Sequence, residues 1–204
     1  MIGFNRQGVI TSTITKRISS FSKNENSVSE KINEAISKYK RSNINYPAIV
    51  YGRDNEPLAV QDFFNDFKKK HHHARLENVG LKIDEKLKFF GGSVDGVLHC
   101  ECQNCDNNFI LEIKSPFRLK DQSVKKEWHI LEYLTKDGRL KTNHTYYFQI
   151  QCYLGLFGFR QAYFVVWRKV DFLTITIEFD KQFYDNIYEC VRNYYFNYYV
   201  KSFL

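Results

Sequence analysis

The sequence contains no run of about 18 apolar residues, the length that a membrane-spanning helix requires, and this absence excludes such a helix. Its first residues, 1–5, are too short and too mixed for the apolar core of a signal peptide. The chain contains only 5 cysteines, an odd number, and they are unevenly spread along it. We therefore expect a soluble intracellular protein of a reducing compartment, nucleus or cytoplasm, that is neither secreted nor held in a membrane.

Proline is rare as well, with only 3 residues, and there is no internal repeat in a chain of 204 residues, a length that fits one domain. What the chain does contain is enough apolar sequence, 43%, for a full core. Its aromatic content of 17% favours a core that includes β-structure. Lys and Arg number 30 against 23 Asp and Glu, and the net charge of +7 favours a polyanionic partner, nucleic acid above all.

Hydrophobic periodicity predicts helices first, then strands, then alternation of the two. Helical spacing covers 29–39 and 48–67, and Pro57 is expected to interrupt the second helix or to lie in its first turn. Alternating patterns predict strands at 81–83, 87–89, 93–100, 108–114, 162–167 and 172–179. Further helices are expected near 126–133, over 145–157, and from Asp180 to the C-terminus. This order predicts a mixed central sheet with helices on its faces.

The segment from Gly92 to Pro116 concentrates the charged residues of most interest. Side chains alternate along a strand, so Glu112 and Lys114 share one face, and a hairpin would bring Asp95 beside Glu112. Two carboxylates and a lysine on one side of a sheet make a site for a hard cation, suited to attack of water on a phosphodiester. The alternative is a surface hairpin whose three charges face water.

Three other segments have less specific patterns. Glu56 follows Gly52 by four residues on the second predicted helix, and a helical glutamate is often a solvated surface residue. Gln149 and Tyr153 lie four residues apart on one face of the helix at 145–157, where a polar side chain is usually a satisfied structural group. The N-terminal residues 6–12 read RQGVITS, which in isolation indicates no function.

Together these segments and the order of elements resemble the PD-(D/E)XK nuclease superfamily, and within it the YqaJ-like viral recombinase family that includes lambda exonuclease. The segment 94–96, VDG, is similar to the acidic strand of the family, with Val94 where Pro is usual. The segment 111–116, LEIKSP, is similar to its L-E-x-K-C-P strand, with Ser115 in place of Cys. The resemblance spans residue 6 to about residue 167.

The resemblance implies an α/β (α+β) fold of the restriction-endonuclease-like type, with a mixed central β-sheet flanked by helices. We expect a single domain over 1–204. Its parts would be an N-terminal helical region at about 1–75, a catalytic sheet core at about 79–179 and a C-terminal helix at 180–204.

Roles for individual residues follow from the same resemblance. Mg²⁺ or Mn²⁺ would be held by Glu56, Asp95, Glu112 and the carbonyl of Ile113, and Lys114 would orient or activate the attacking water. Gln149 would lie near the metal ions and the scissile phosphate. Substrate-binding residues would be Arg6 and Ser12, which in the family grip a 5′-phosphate, together with Tyr153 and Arg118. Arg118 begins a basic segment with two possible roles: it contacts the DNA backbone without reading bases, or it is a solvated loop.

The function implied is a metal-dependent 5′→3′ exonuclease on linear double-stranded DNA with 5′-phosphate ends, acting in recombination or DNA processing. The family also suggests a single-strand annealing protein as a partner and a homotrimer as the assembly. Two alternatives stay open. One is a restriction-like or structure-specific endonuclease, and the other is a non-catalytic module that binds DNA ends on the same fold.

A cysteine cluster between the two acidic segments suggests zinc, because Cys100, Cys102, Cys105 and His99 include the ligand types of a tetrahedral site. Against this, His99 and Cys100 are neighbours and point to opposite faces of a strand, and only one C-x₂-C pair is present. We therefore expect a plain hairpin tip here. We likewise expect the triplet at 71–73, HHH, to be a solvated helix end.

Overall fold

A five-stranded mixed sheet forms the centre of the protein. The computed structural model describes residues 8–21, 26–37, 46–103 and 105–204. In spatial order the strands, numbered along the chain, are β2 (Arg75–Glu77), β5 (Gly96–His99), β6 (Asn108–Lys114), β7 (Gln161–Trp167) and β8 (Phe172–Glu178). Strands β6 and β7 are parallel, and the other neighbours are antiparallel.

A smaller three-stranded sheet lies beside it. Its strands in spatial order are β1 (Ile10–Thr11), β4 (Phe90–Gly92) and β3 (Lys82–Ile83). Strand β1 runs parallel to β4, and β3 is antiparallel to it. This sheet holds the N-terminal residues against the rest of the fold, because Ile10 and Phe90 are both fully buried and paired.

Helices cover both faces of the central sheet, as the sequence predicts. They are α1 (Thr15–Ser19), α2 (Asn26–Ser37), α3 (Pro47–Lys70), α4 (Val124–Glu127), α5 (Thr145–Phe157) and α6 (Lys181–Tyr194). Helix α3 packs Phe63 and Phe67 against Leu111 of β6, whereas α5 packs Ile150 against Ile110 on the opposite face. Among the described helices, none has both the length and the apolar character needed to cross a bilayer.

The prediction for α5 is confirmed over 145–157, and Asp180 caps α6 by accepting a hydrogen bond from the Phe183 amide at 2.9 Å. The predicted interruption at Pro57 is wrong, because α3 continues through it. Proline has no amide hydrogen, so the carbonyl of Arg53, four residues earlier, lacks its helical hydrogen bond. Arg53 is an exposed residue of the helix.

The strand expected at 87–89 is also wrong. Leu87 lies in a turn, where its carbonyl accepts from the Phe90 amide at 2.7 Å, and the strand begins only at Phe90. The strand expected over 93–100 is shorter than predicted and starts at Gly96, so Asp95 precedes it. The helix expected near 126–133 begins earlier, at Val124, and gives way to a 3-10 turn at Trp128–Ile130.

Candidate active site

The hairpin of β5 and β6 brings Asp95 beside Glu112. Gly96 pairs with Leu111, and the Asp95 amide donates to the Leu111 carbonyl at 3.2 Å. One step further, the Asp95 carboxylate accepts a hydrogen bond from the Ile113 amide at 2.7 Å. The pairing of β5 with β6 has ended at this point, so the Asp95 side chain accepts the hydrogen bond of the Ile113 amide in place of a backbone carbonyl. This bond fixes the direction of the carboxylate.

Glu112 and Lys114 point to the α5 face of β6, as alternation along a strand requires. The Glu112 side chain is only 2% exposed, and its Oε1 accepts hydrogen bonds from Lys114 Nζ and, at 3.1 Å, from Gln149 Nε2. Its Oε2 is buried and has no hydrogen-bond partner among the residues that the structure describes. Burying such an oxygen is costly unless the carboxyl is protonated or a cation approaches it.

Crowding of carboxyl groups changes their acidity. Burial, followed by the charge of Asp95, raises the pKa of Glu112 to about 8, although Lys114 opposes the shift. Desolvation also raises the pKa values of Asp95 and Glu56 above their usual range, with Lys114 again opposing. Burial alone would lower the pKa of Lys114, but Glu112 and Asp95 raise it above its ordinary value, so this ammonium stays charged. One ammonium thus faces three carboxyls.

Glu56 reaches this group from the opposite helix. A cavity of about 350 Å³ lies between α3 and the end of β6. Its lining includes Gly52 and Glu56 from one turn of α3, and Ile113 and Lys114 from β6. Glu56 is exposed, yet close enough to Asp95 and Lys114 for their charges to shift its pKa. The acidic cluster, defined as Glu56, Asp95 and Glu112, is therefore assembled from a helix and a hairpin that are distant in sequence.

The acidic cluster fits a hard divalent cation. All its donors are carboxylate oxygens, which Mg²⁺ and Mn²⁺ prefer, and once ionised they carry more negative charge than the single lysine offsets. The unpaired Oε2 of Glu112 is the observation that favours an ion most directly, because nothing else described satisfies that atom.

Gln149 is connected to the N-terminal part of the chain by a series of hydrogen bonds. Its Nε2 also donates to the Tyr153 hydroxyl at 2.5 Å, and that hydroxyl is hydrogen-bonded to Ser12. The ring of Tyr153 lies close to Gly92, where a Cβ atom would come within 2.7 Å of the ring. Glycine at this position therefore allows the tyrosine to reach both partners.

Burial distinguishes Ser12 and Tyr153 from the residues that line the cavity. Ser12 is 1% exposed and Tyr153 is 2% exposed. In this conformation neither side chain reaches the protein surface, and contact between them and a substrate stays a prediction. Arg6, which the sequence groups with Ser12, lies outside the described residues.

Gln151 has a structural role on another face of α5. Its Nε2 donates to the Glu178 carbonyl at 2.8 Å, and its Oε1 accepts from the Asp180 amide at 2.8 Å. These bonds join α5 to the end of β8. The two buried glutamines of this helix thus have different partners, and only Gln149 contacts a member of the acidic cluster.

The basic segment after β6 lies at the surface. Arg118 is exposed in a 3-10 turn at Phe117–Leu119, and the lysines that follow it at positions 120, 125 and 126 are exposed as well. Asp171 holds this segment in place by accepting from the Ser123 hydroxyl and, at 2.7 Å, from the Val124 amide.

Two residues near the site have no counterpart in the sequence predictions. Tyr146 lines the cavity, and Lys114 Nζ lies 5.0 Å from the centre of its ring. Its position three residues before Gln149 on the same helix is a signal that could have identified it. Arg168 is buried with its guanidinium 4.8 Å from the centre of the Tyr51 ring. Its Nε and Nη1 have no hydrogen-bond partner within the described ranges, and no sequence pattern marks it.

Comparison with known proteins adds a family and a fold. The family model described as YqaJ-like viral recombinase domain matches residues 4–160. A search of curated proteins finds no significant match. Among solved structures, an alkaline exonuclease from Laribacter hongkongensis is similar, with a TM-score of 0.68, 16% identity, and coverage of 96% of this chain and 90% of that one. The same enzyme, LHK-Exo, has also been crystallised with dAMP, and that structure gives a TM-score of 0.69.

A phage-related exonuclease from Haemophilus somnus 129PT is similar over 96% of this chain and 95% of its own, with 13% identity and a TM-score of 0.57. At these identities the likeness shows the fold, which is the restriction-endonuclease-like architecture expected from the sequence. The match of the family model over most of the chain is the stronger finding.

Proposed function

The chain belongs to the family of YqaJ-like viral recombinase domains, nucleases of DNA recombination, and we propose that it is a metal-dependent 5′→3′ exonuclease on linear double-stranded DNA. The observation that carries the proposal is the acidic cluster beside Lys114, in which one buried oxygen of Glu112 has no described partner. Two similar solved structures, an alkaline exonuclease and a phage-related exonuclease, support the same activity.

Glu56, Asp95, Glu112 and the carbonyl of Ile113 would hold Mg²⁺ or Mn²⁺, because all four offer hard oxygen donors. When bound, the ion would make a water molecule more acidic and stabilise negative charge on the phosphate. The Asp95 carboxylate is already oriented for this role by the Ile113 amide, so its direction is set before any ligand arrives. Such preorganisation lowers the cost of assembling the charged site.

Lys114 acts through its positive charge. When no cation is bound, Glu112 and Asp95 raise the pKa of Lys114 above its ordinary value, so the side chain carries a positive charge. This ammonium would orient or activate the attacking water and offset the charge that develops on the phosphate in the transition state. The Tyr146 ring beside Nζ helps to keep the ammonium at the cavity.

Gln149, Tyr153 and Ser12 act as positioning residues. Gln149 occupies one oxygen of Glu112 and so leaves Oε2 free for the cation. Tyr153 accepts from the same amide group and, with Ser12, fixes its orientation. Arg6 remains the proposed ligand of the 5′-phosphate, and exposed Arg118 is proposed to contact the DNA backbone. A single-strand annealing protein and a homotrimer remain predictions from family resemblance.

Digestion of matched linear duplexes would test the proposal. One duplex carries a label at its 5′ ends and another at its 3′ ends, each with 5′-phosphate or 5′-hydroxyl termini. We expect Mg²⁺-dependent release of the 5′ label first, as mononucleotides, and faster digestion of phosphorylated ends. The dAMP in the similar exonuclease structure is consistent with such products. Early release of the 3′ label would overturn the proposed polarity, and cutting of closed circular DNA would indicate an endonuclease.

A further inference from the structure

Four metal-ligand side chains converge at the end of the sheet that carries the cysteines. They are His71, Cys100, Cys102 and Cys105, and their ligand atoms all lie within 4.8 Å of one another. The imidazole comes from the C-terminal end of α3, 31 positions before Cys102, and the thiols come from the β5–β6 connection. All three cysteines are free thiols. No other cluster of histidine and cysteine ligands occurs among the described residues.

The separations are close to those around a single zinc ion. Zinc binds thiolate sulfur at about 2.3 Å and imidazole nitrogen at about 2.0 Å, so tetrahedral geometry places sulfur and nitrogen about 3.5 Å apart and two sulfurs about 3.8 Å apart. His71 Nδ1 lies 3.7 Å from Cys102 Sγ and 4.0 Å from Cys105 Sγ. The Cys100 and Cys105 sulfurs are closer, at 2.8 Å, and would separate by about 1 Å around an ion.

Contacts around the cluster already hold two of these ligands in place. The His72 amide donates to Cys102 Sγ at 3.2 Å, a bond that favours the thiolate form. The imidazole of His71 stacks on Phe67, with ring centres 3.9 Å apart and planes 12° apart. The Glu101 amide donates to the His72 carbonyl at 3.0 Å and so joins the helix end to the cysteine segment. His71 and Cys102 are thus held by partners outside the four ligands.

We propose that His71, Cys100, Cys102 and Cys105 bind one Zn²⁺ in a closed structural site. Three thiolates and an imidazole form a borderline-soft donor set that suits zinc rather than Mg²⁺. A disulfide would use two thiols and leave the other two ligands without a partner. An iron–sulfur cluster spreads its ligands over several iron atoms, whereas these four converge on one point.

His99, the fourth ligand that the sequence suggests, is engaged elsewhere. Its Nδ1 lies 2.6 Å from Asn108 Oδ1, and its Nε2 lies 2.9 Å from Glu77 Oε2 on the neighbouring strand β2. The prediction that the histidine triplet is a solvated helix end is correct for His72 and His73, which are exposed, but not for His71. The ion would thus use a histidine that lies outside the cysteine segment.

The zinc site would connect the two parts of the chain that supply the acidic cluster. Helix α3 ends at this site and also carries Glu56, 15 positions earlier, or about 22 Å along the helix. The cysteine segment connects β5 to β6 and so lies between Asp95 and Glu112 in the chain. A structural ion here would stabilise the packing of α3 on the sheet without contact with the substrate.

Metal analysis of the full, untagged chain, expressed without added zinc and purified under reducing conditions, would test the site. We expect about one zinc per chain by mass spectrometry, and equally in Glu112→Gln, because the acidic cluster is not involved. Cys105→Ser and His71→Ala should lose the zinc, whereas Cys190→Ser and His72→Ala should retain it. Nuclease activity is not measured, so the result is independent of the proposed function.

A second measurement uses only the wild-type protein, so its result does not depend on whether a variant folds. X-ray absorption at the zinc edge should show three sulfur ligands and one nitrogen ligand at the distances typical of zinc, and Co²⁺ in its place should show the intense visible bands of tetrahedral thiolate coordination. The proposal is overturned by wild-type protein that binds neither ion at this site. Iron with sulfide, a Cys100–Cys105 disulfide, or zinc that disappears in Glu112→Gln would equally contradict it.

Discussion

Gln149 donates a hydrogen bond from Nε2 to Oε1 of Glu112 over 3.1 Å, although 37 positions separate the two residues. The bond joins α5 to the central strand of the sheet and gives the two oxygens of Glu112 different surroundings. Oε1 accepts from both Gln149 and Lys114, whereas Oε2 has no partner among the described residues. A helix residue thus determines which oxygen of the carboxylate is left for a cation.

Gln149→Leu should lower kcat by about 10- to 100-fold, because it removes this orientation while keeping the side-chain volume similar. Gln151→Leu, a change at another buried position of the same helix, should leave kcat per folded molecule unchanged. It should instead lower the free energy of unfolding by about 2 kcal/mol, because the Glu178 carbonyl and the Asp180 amide lose their partners. Steady-state digestion and urea unfolding of both variants measure the two effects. Equal losses of kcat in the two variants would contradict the assignment.

Ser12→Ala and Tyr153→Phe should behave alike, since each removes one hydroxyl from the series that ends at Gln149. We expect a fall in kcat of about 3- to 10-fold in both. If both residues act through Gln149, a role that their burial favours, the ratio of rates on 5′-phosphate and 5′-hydroxyl ends should remain that of the wild type. If Ser12→Ala alone abolished the preference for phosphate, Ser12 would contact the DNA end directly.

Cation binding should release protons and should strengthen as the pH rises toward 8. Glu112 has a pKa raised to about 8, so it is mainly protonated at pH 7 when no cation is present, and a divalent cation must displace that proton. Above pH 8 the carboxylate is already ionised, and the dependence should level off. Calorimetric titration with Mn²⁺ in buffers of different ionisation enthalpy counts the protons released. Glu112→Gln should bind more weakly and release fewer protons, and an affinity independent of pH between 6 and 9 would argue against the raised pKa.

The local parts of the site could be predicted from the sequence. Alternation along β6 places Glu112 and Lys114 on one face, and a short hairpin brings Asp95 opposite, so neither inference needs information from distant residues. The contacts that could not be predicted depend on packing between remote elements. In the sequence His99 is one of four possible zinc ligands beside the cysteines, and its adjacency to Cys100 argues against the site. The structure shows instead that pairing of β5 with β2 brings Glu77 to that imidazole.

Packing across the molecule also explains the other differences. The burial of Ser12 depends on how β1 and the following turn lie against α5, which no local pattern reveals. Pro57 was expected to interrupt α3 or to lie in its first turn, yet the tertiary packing of Phe63 and Phe67 further along stabilises one continuous helix around it. Local rules therefore identified the long helices, four strands of the central sheet and the hairpin, but missed β1 and β2, and long-range contacts decided which side chains are buried.

Asp171→Ala should destabilise the protein by about 1–2 kcal/mol, because the Val124 amide and the Ser123 hydroxyl lose their shared acceptor at the start of α4. Asp121→Ala in the same surface region serves as the control. Its ion pair with Lys120 is long, at 3.9 Å, and exposed, so the change should stay within about 0.5 kcal/mol. Chemical unfolding of both variants measures the difference, and equal stability of the two would refute the capping role of Asp171.

The most direct test of the central claim is the rate of Mg²⁺-dependent digestion of a linear duplex by wild type, Glu112→Gln and Lys114→Gln, compared at equal concentrations of folded protein. Glutamine preserves the shape of Glu112 but removes the charge that would hold the cation. Both variants should still bind DNA. Their rate of digestion should fall by a factor of about 1,000 or more, because the cation and the ammonium stabilise the same transition state. Digestion by Glu112→Gln at a rate close to that of the wild type would show that the acidic cluster is not the active site.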